Sequence, residues 1–288
     1  MGRRPRWHCL RKFTITGIQV NERLNILLTN DDGIQSPGLW AAASELSRLG
    51  YVTVAAPRDQ VSGSGRSLPH TSDGRITKTI LKINEQEWPV FAIGGTPAQV
   101  VQHAILEIMQ GKPDLVVSGI NYGENLGTSI TVSGTVGAAM EGAAMGIPSL
   151  AVSLQLAGTD YLSYTDQDFS ASGYFTYLFA RKILEKTFPP DVDLLKVEVP
   201  TGATPKTPWR ITRLARHRYY LPFARRVGEW EEPYLIEGRP HVSAEEVEPG
   251  TDIHTVLFEQ LVSVTPLSLD FTSRVDLKAL EEHLKDNL

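Results

Sequence analysis

The chain has 288 residues, a formal net charge of −5 and one cysteine, Cys9. Its 41% hydrophobic and 21% charged content is that of a soluble globular protein with a core large enough to need no staples. One cysteine excludes an internal disulfide and cysteine-paired zinc sites and fits a reducing, cytoplasmic compartment; the acidic balance argues against a nucleic-acid duplex as partner, and no apolar run approaches the ~20 residues of a membrane span.

Residues 1–23 form a basic extension carrying Arg3, Arg4, Arg6, Arg11 and Lys12. It lacks the continuous apolar centre of a secretory leader and is expected to be disordered. Order is expected to begin at Leu24. The run 24–29 is apolar and ends at the turn signal Asn30-Asp31-Asp32-Gly33, so it reads as a buried strand. Ser36-Pro37 then suits a capped helix start. Leu39, Ala42, Ala43, Leu46 and Leu49 follow at helical spacing, and 51–56 is a second strand. Such a βαβ unit implies a parallel sheet. Residues 76–92 alternate around Asn84-Glu85-Gln86 and read as an inserted hairpin. Helices are expected at 97–109, 135–145 and 168–186, and strands at 115–118, 149–153 and 194–199. The whole is a doubly wound, mostly parallel α/β core over 24–200. Beyond it, 201–288 reads as a β-rich extension with strand-prone runs at 210–214 and 261–264, a closing helix near 274–284, and a role in subunit contacts.

In an open α/β sheet, ligands bind at the carboxyl ends of the strands, so the loops there are the ones to inspect. After the first strand, Asp31 and Asp32 place two carboxylates side by side. Like charges so close raise each other's pKa unless a cation neutralises them, and hard oxygen ligands suit Mg²⁺ or Mn²⁺. The same residues also suit a plain turn. The next loop, Ser62-Gly63-Ser64-Gly65, offers hydroxyls and a pliable backbone. The loop from Ser118-Gly119-Ile120-Asn121 to Asn125 brings two amides to the same edge. It ends at Ser133-Gly134-Thr135, where a helix start can hold an anion through its N–H groups and dipole. Other constellations are missing. There is no Gly-Lys-Ser/Thr phosphate loop, no Gly-x-Ser-x-Gly elbow, no His-Glu-x-x-His and no dinucleotide fingerprint after the first strand. His103 reads as a packing residue.

Taken in order, Asn30-Asp31-Asp32-Gly33, Ala56-Pro57 with Ser62-Gly63, Gly95-Thr96-Pro97, Ser118-Gly119-Ile120-Asn121, Asn125-Leu126-Gly127, Ser133-Gly134-Thr135-Val136 and Val262-Ser263-Val264-Thr265-Pro266-Leu267 resemble the SurE family (survival protein E, a 5′/3′-nucleotidase). The match runs from about Leu24 to Thr272. The resemblance implies a phosphatase of nucleoside monophosphates, in some members also of short polyphosphate. It further implies one divalent metal ion per subunit, Mg²⁺ or Mn²⁺, held by Asp31, Asp32, Ser62 and Asn121. Asp31 and Asp32 are the implied catalytic pair. Asn30, Gly63, Asn125, Ser133, Gly134 and Thr135 are expected around the phosphate, and a homodimer or homotetramer is expected. Val132 stands where the family usually has Tyr, and Gln99 where Asp is common. Two other readings remain open: a haloacid-dehalogenase-like phosphatase with Asp31 as nucleophile, although that chemistry uses Asp-x-Asp, and a non-catalytic nucleotide or phosphate sensor.

Overall fold

The computed structural model describes residues 24–83, 86–109, 111–156 and 167–285. The basic extension lies outside them, as do Asn84 and Glu85 of the expected hairpin turn. β1 (Leu24–Thr29), α1 (Pro37–Leu46) and β2 (Gly50–Pro57) form the expected βαβ unit, with β1 and β2 parallel. β3 (Ile76–Ile83) and β4 (Gln86–Ile93) are the antiparallel hairpin. β4 also pairs parallel with β2, so the hairpin extends the sheet to its edge. α2 (Pro97–His103) continues as a wider turn over Ala104–Ile108 and leads to β5 (Leu115–Tyr122) on the other side of β1. α3 (Gly134–Ala144), β6 (Ser149–Leu154), α4 (Ser170–Glu185) and β7 (Leu194–Val199) complete the parallel set.

The last third is more tightly joined to this core than an appendage would be. β8 (Trp209–Ile211) and β11 (Val262–Leu267) enter the main sheet. β11 runs antiparallel to β7, and β8 lies parallel to β11. The nine-stranded order is β3-β4-β2-β1-β5-β6-β7-β11-β8. Only β9 (Tyr220–Phe223) and β10 (Glu237–Pro240) stand apart, as a separate antiparallel pair. α5 (Asp252–Leu257) packs on β11, and α6 (Leu277–Lys285) buries no side chain.

Alternation along β1 explains the two layers. Ile26 and Leu28 join Leu39, Leu46, Phe175 and Phe179 on the α1–α4 face. Leu27 joins Val100, Val101, Val116 and Ala138 on the α2–α3 face. Each of the Val, Leu, Ile and Phe side chains among them, buried completely, contributes roughly 1.5–3 kcal/mol. One local expectation fails. Ser36 precedes α1, but its side chain makes no capping hydrogen bond, and Pro37 alone shapes that start. α2 instead has a complete capping box, in which Gln99 N donates to Thr96 Oγ1 at 3.3 Å and Thr96 N donates to Gln99 Oε1 at 3.1 Å.

After β1 the chain builds toward β2 and β4, then crosses back to lay β5 on the opposite side of β1. The strand order therefore reverses between β1 and β5. A crevice at the carboxyl ends of these strands is where this architecture binds ligands.

Candidate active site

β1 and β5 both deliver their last residues to that crevice. Asn30 is fully buried, and its side chain closes its own turn: Nδ2 donates to Gly33 O at 3.0 Å, and Gly33 N donates to Oδ1 at 3.2 Å. Asn30, expected near the phosphate, thus also has a structural role in closing this turn. Its effect is to fix the two following carboxylates, which are 5% and 3% exposed.

Asp31 turns toward α3. The Thr135 hydroxyl lies against Asp31 Oδ1 and is also 3.0 Å from Asn121 Oδ1. Burial pushes the pKa of Asp31 up and outweighs the Thr135 hydroxyl and the backbone N–H groups of Asp31, Thr135 and Gly134, which favour the ionised carboxylate. The helix start that the sequence offers to a phosphate is therefore directed at Asp31 in this structure. Ser133 Oγ accepts from Val136 N at 3.1 Å and caps the helix. Gly134 is required by this approach, because a Cβ there would sit 2.7 Å from Asp31 Cβ and 2.9 Å from Ser64 Oγ.

Asp32 turns toward β5 and accepts from Tyr122 N at 2.9 Å. Burial first, and the Asp31 charge second, push its pKa up to about 8, against stabilising hydrogen bonds from Tyr122 N and the Gln60 side chain. Gln60 Nε2 also donates to Ser62 Oγ at 3.1 Å. It thereby links the exposed Ser62-Gly63 turn to the carboxylates, and Val61 N docks the same loop on Asp31 O at 2.8 Å. Gly63 has a φ of +75° and nothing within 4 Å of where a Cβ would be. Asn121 holds its amide with Nδ2 on Gly123 O at 2.6 Å, leaving Oδ1 toward Thr135.

Asp31, Asp32, Asn121 and Thr135 thus converge, and Gln60 ties in Ser62. This set fits a hard divalent cation: two buried carboxylates whose ionisation is resisted by burial and mutual repulsion, beside neutral oxygens. Among the described residues no three His, Cys, Asp or Glu side chains cluster as metal ligands, so such an ion would depend on Asn121 and Ser62 for further protein oxygens. Asn125 lies further along the loop, with Nδ2 on Ser153 Oγ at 3.0 Å. Tyr122, a possible stacking residue by position, is buried and not open to a base. His103 is a packing residue against Gly74 and pairs with Glu107 at 2.5 Å.

Both departures from the family pattern have local accounts. Gln99 completes the cap of α2, donates Nε2 to Pro69 O at 2.8 Å and accepts from Ser72 Oγ at 2.6 Å. An aspartate has no donor for Pro69. Val132 is exposed, and it is its carbonyl that the fold uses, accepting from Gly65 N at 2.9 Å. That contact seats the 62–67 loop on α3. Gly137 makes the seating possible, since a Cβ there would meet Gly65 O at 2.3 Å and Arg66 N at 2.7 Å, both backbone. Gly137→Ala is expected to cost about 1–3 kcal/mol of stability through overpacking and to lower kcat/KM by about tenfold or more by displacing Ser62. Thermal melting and steady-state kinetics check it; a variant with unchanged kinetics would show that the loop is not held through this contact.

Gln60 was missed because a loop glutamine carries no pattern. A second omission could have been found. Lys196 and Glu198 sit at alternate positions of an otherwise apolar strand, a spacing that puts opposite charges on one face. Both are fully buried, with Asp252 beside them.

The chain is 44% identical over 263 residues to the 5′-nucleotidase SurE of Thermococcus gammatolerans, covering 91% of this chain and 96% of that protein. It is 41% identical over 265 residues to the 5′-nucleotidase SurE of Methanosarcina mazei, covering 90% and 97%. The crystal structure of the SurE protein from Aquifex aeolicus superposes with a TM-score of 0.67 at 35% identity, covering 91% of this chain and all of that one. The family model for survival protein SurE matches residues 26–221. On the order of its motifs, its strand-end carboxylates and these matches, the chain belongs to the SurE family.

Proposed function

We propose that the chain is a divalent-metal-dependent phosphohydrolase that releases phosphate from nucleoside 5′-monophosphates, with 3′-monophosphates and short polyphosphate as further candidate substrates. The observation that carries the reading is the buried Asp31–Asp32 pair facing Asn121 and the Ser62 loop, in a chain whose relatives are named 5′-nucleotidase.

Asp31, Asp32, Asn121 and Ser62 would hold the metal. When bound, such an ion supplies charge for a phosphoryl oxygen and a water of lowered pKa. Asp32, ionised beside such a cation, would accept a proton during attack. Asn125, Ser133, Gly134 and Thr135 offset charge on the phosphoryl oxygens, which compete with Asp31 for the first amides of α3. Gly63 lets the Ser62 turn approach the substrate. The nucleoside has room in a neighbouring cleft of about 400 Å³ lined by residues that include Arg58, Val61, Ser72, Asp73 and Thr96. A sensor without turnover would not need two desolvated carboxylates at a phosphate, and the adjacent aspartates do not match Asp-x-Asp chemistry.

Association into a homodimer or homotetramer is supported by Leu277, Leu280 and Leu284 on α6 and by Val227, Trp230, Leu235 and Ile236 between and around β9 and β10, all exposed. No helix among the described residues is long and apolar enough to cross a membrane. The cytoplasmic assignment rests on cysteine usage.

The test is phosphate release from nucleoside 5′- and 3′-monophosphates and short polyphosphate by chelator-stripped protein, with Mn²⁺ or Mg²⁺ restored. Release is expected only with metal. Nucleotide binding without release under any metal would transfer the chain to the sensor reading.

A further inference from the structure

We infer that Lys196, Glu198 and Asp252 form a buried charged clamp that fixes the backbone of Asn125 and Gly127, and so sets where the Asn125 side chain meets the phosphoryl group. The inference rests on the proposed contact between Asn125 and phosphate.

All three side chains are at most 1% exposed. Burying three charges is costly, and apolar residues of similar size would serve a core as well. The hydrogen bonds show where these charges are directed. Lys196 Nζ donates to Asn125 O at 2.8 Å, to Asp252 Oδ2 at 3.0 Å and to Glu198 Oε1 at 3.3 Å. Its three protons are thereby used. Glu198 Oε2 accepts from Asn125 N at 3.0 Å. Both backbone groups of one residue are thus held by opposite charges on one face of β7. Asp252 Oδ2 accepts from Gly127 N at 3.0 Å, and its Oδ1 accepts from Ala215 N and Ile253 N, each at 2.9 Å. The turn has no slack beneath it, because a Cβ at Gly127 would meet His217 O at 2.4 Å.

With these bonds made, the clamp has no free donor to offer a substrate. Its members are positioning residues. They also join distant parts of the chain: β7 in the parallel core, the loop after β5, and α5 from the last third.

The test uses full-length protein carrying Glu198→Gln, which keeps size and removes the charge. The readouts are kcat, KM for a nucleoside 5′-monophosphate, the inhibition constant of inorganic phosphate, Mn²⁺ affinity by calorimetry and the melting temperature. KM and the phosphate inhibition constant are expected to rise about tenfold or more, while Mn²⁺ affinity stays unchanged. A purely structural role would lower the melting temperature or the active fraction, and hence kcat, without moving the phosphate constant. Asn125→Ala is measured alone and combined with Glu198→Gln. If the clamp acts through Asn125, the double variant matches Asn125→Ala to within about twofold. An unchanged phosphate constant in Glu198→Gln, or effects that multiply in the double variant, would overturn the clamp. If Asn125→Ala itself leaves the phosphate constant unchanged, the phosphate role of Asn125 fails and the clamp falls with it, while metal-dependent turnover by the parent protein would still stand. Should Glu198→Gln not fold, Asp252→Asn, which reaches Gly127 instead, is read by the same criteria.

Discussion

Asp32→Asn is expected to fold normally and to lose about a thousandfold or more in kcat/KM, equivalent to ~4 kcal/mol of transition-state stabilisation. The side chain keeps its size and can still accept from Tyr122 N, so the crevice keeps its shape. What is removed is one of two charges for a cation and the group proposed to take a proton. Asp31→Asn is expected to show a loss of the same order, since Asp31 sits against Thr135 and the first amides of α3. Stability is expected to move the other way. In metal-free protein the folded-state pKa of Asp32 is about 8 against an ordinary 3.8. The folded state therefore holds more protons than the unfolded state between those values. Its stability should fall as pH rises from about 4 to about 8 and level off above. Urea midpoints of chelator-treated protein across that range measure the slope. Divalent metal should oppose the loss by binding the folded form, and Asp32→Asn should show a shallower slope and little metal response. Normal turnover by either asparagine variant would end the assignment of this site.

Lys196→Met is expected to be the most destabilising single change in the clamp. The substitution preserves bulk and removes the only cation bonded to Glu198 and Asp252 among the described residues. Burial already pushes Glu198 up to about 7 against the pull of Lys196. Lys196 is itself desolvated, but Glu198 and Asp252 more than offset this and hold its pKa above the usual lysine value. Without the ammonium, two buried carboxyls face each other and one must take up a proton. Breaking such a network by removing one partner costs about 3–5 kcal/mol, which for a chain of this size lowers the melting temperature on the order of 10 °C. A fall of only a degree or two in thermal melting would mean that the pocket relaxes to admit water and that the charges matter less than their contacts suggest.

The parallel core could be read from the sequence because its strands are continuous apolar runs ending in turn residues. The limits expected for the first strand and for 194–199 agree with β1 and β7. The location of the candidate site was proposed from the fold class, since loops at strand ends are few and Asp31-Asp32 occupies one of them. Local hydrogen-bond choices were less visible. Ser36 has the composition of a cap but makes no capping bond, whereas Thr96 and Gln99 form a full capping box. The hydrogen bonds of Asn30 to Gly33, three residues on, were likewise not legible from its position. The last third was hardest to place. β8 has three residues and β11 pairs antiparallel with a strand more than sixty positions earlier, and short runs carry little periodicity from which to infer distant pairing.

The order of the nine strands also bears on how copies of the chain can meet. A sheet edge exposes unpaired N–H and C=O groups and can recruit a further strand. If β7 ended the sheet, its wholly buried Leu194–Val199 segment would be such a template. β11 covers it and β8 follows, so that side ends in a strand of only three residues, too short to guide a partner. The other side ends in β3, where exposed Lys78 and Lys82 discourage strand addition. With both borders blunted, adding a strand at either edge of the sheet is disfavoured, so the proposed association of copies would rest on side-chain surfaces, among them the exposed apolar residues of α6 and the β9–β10 arm.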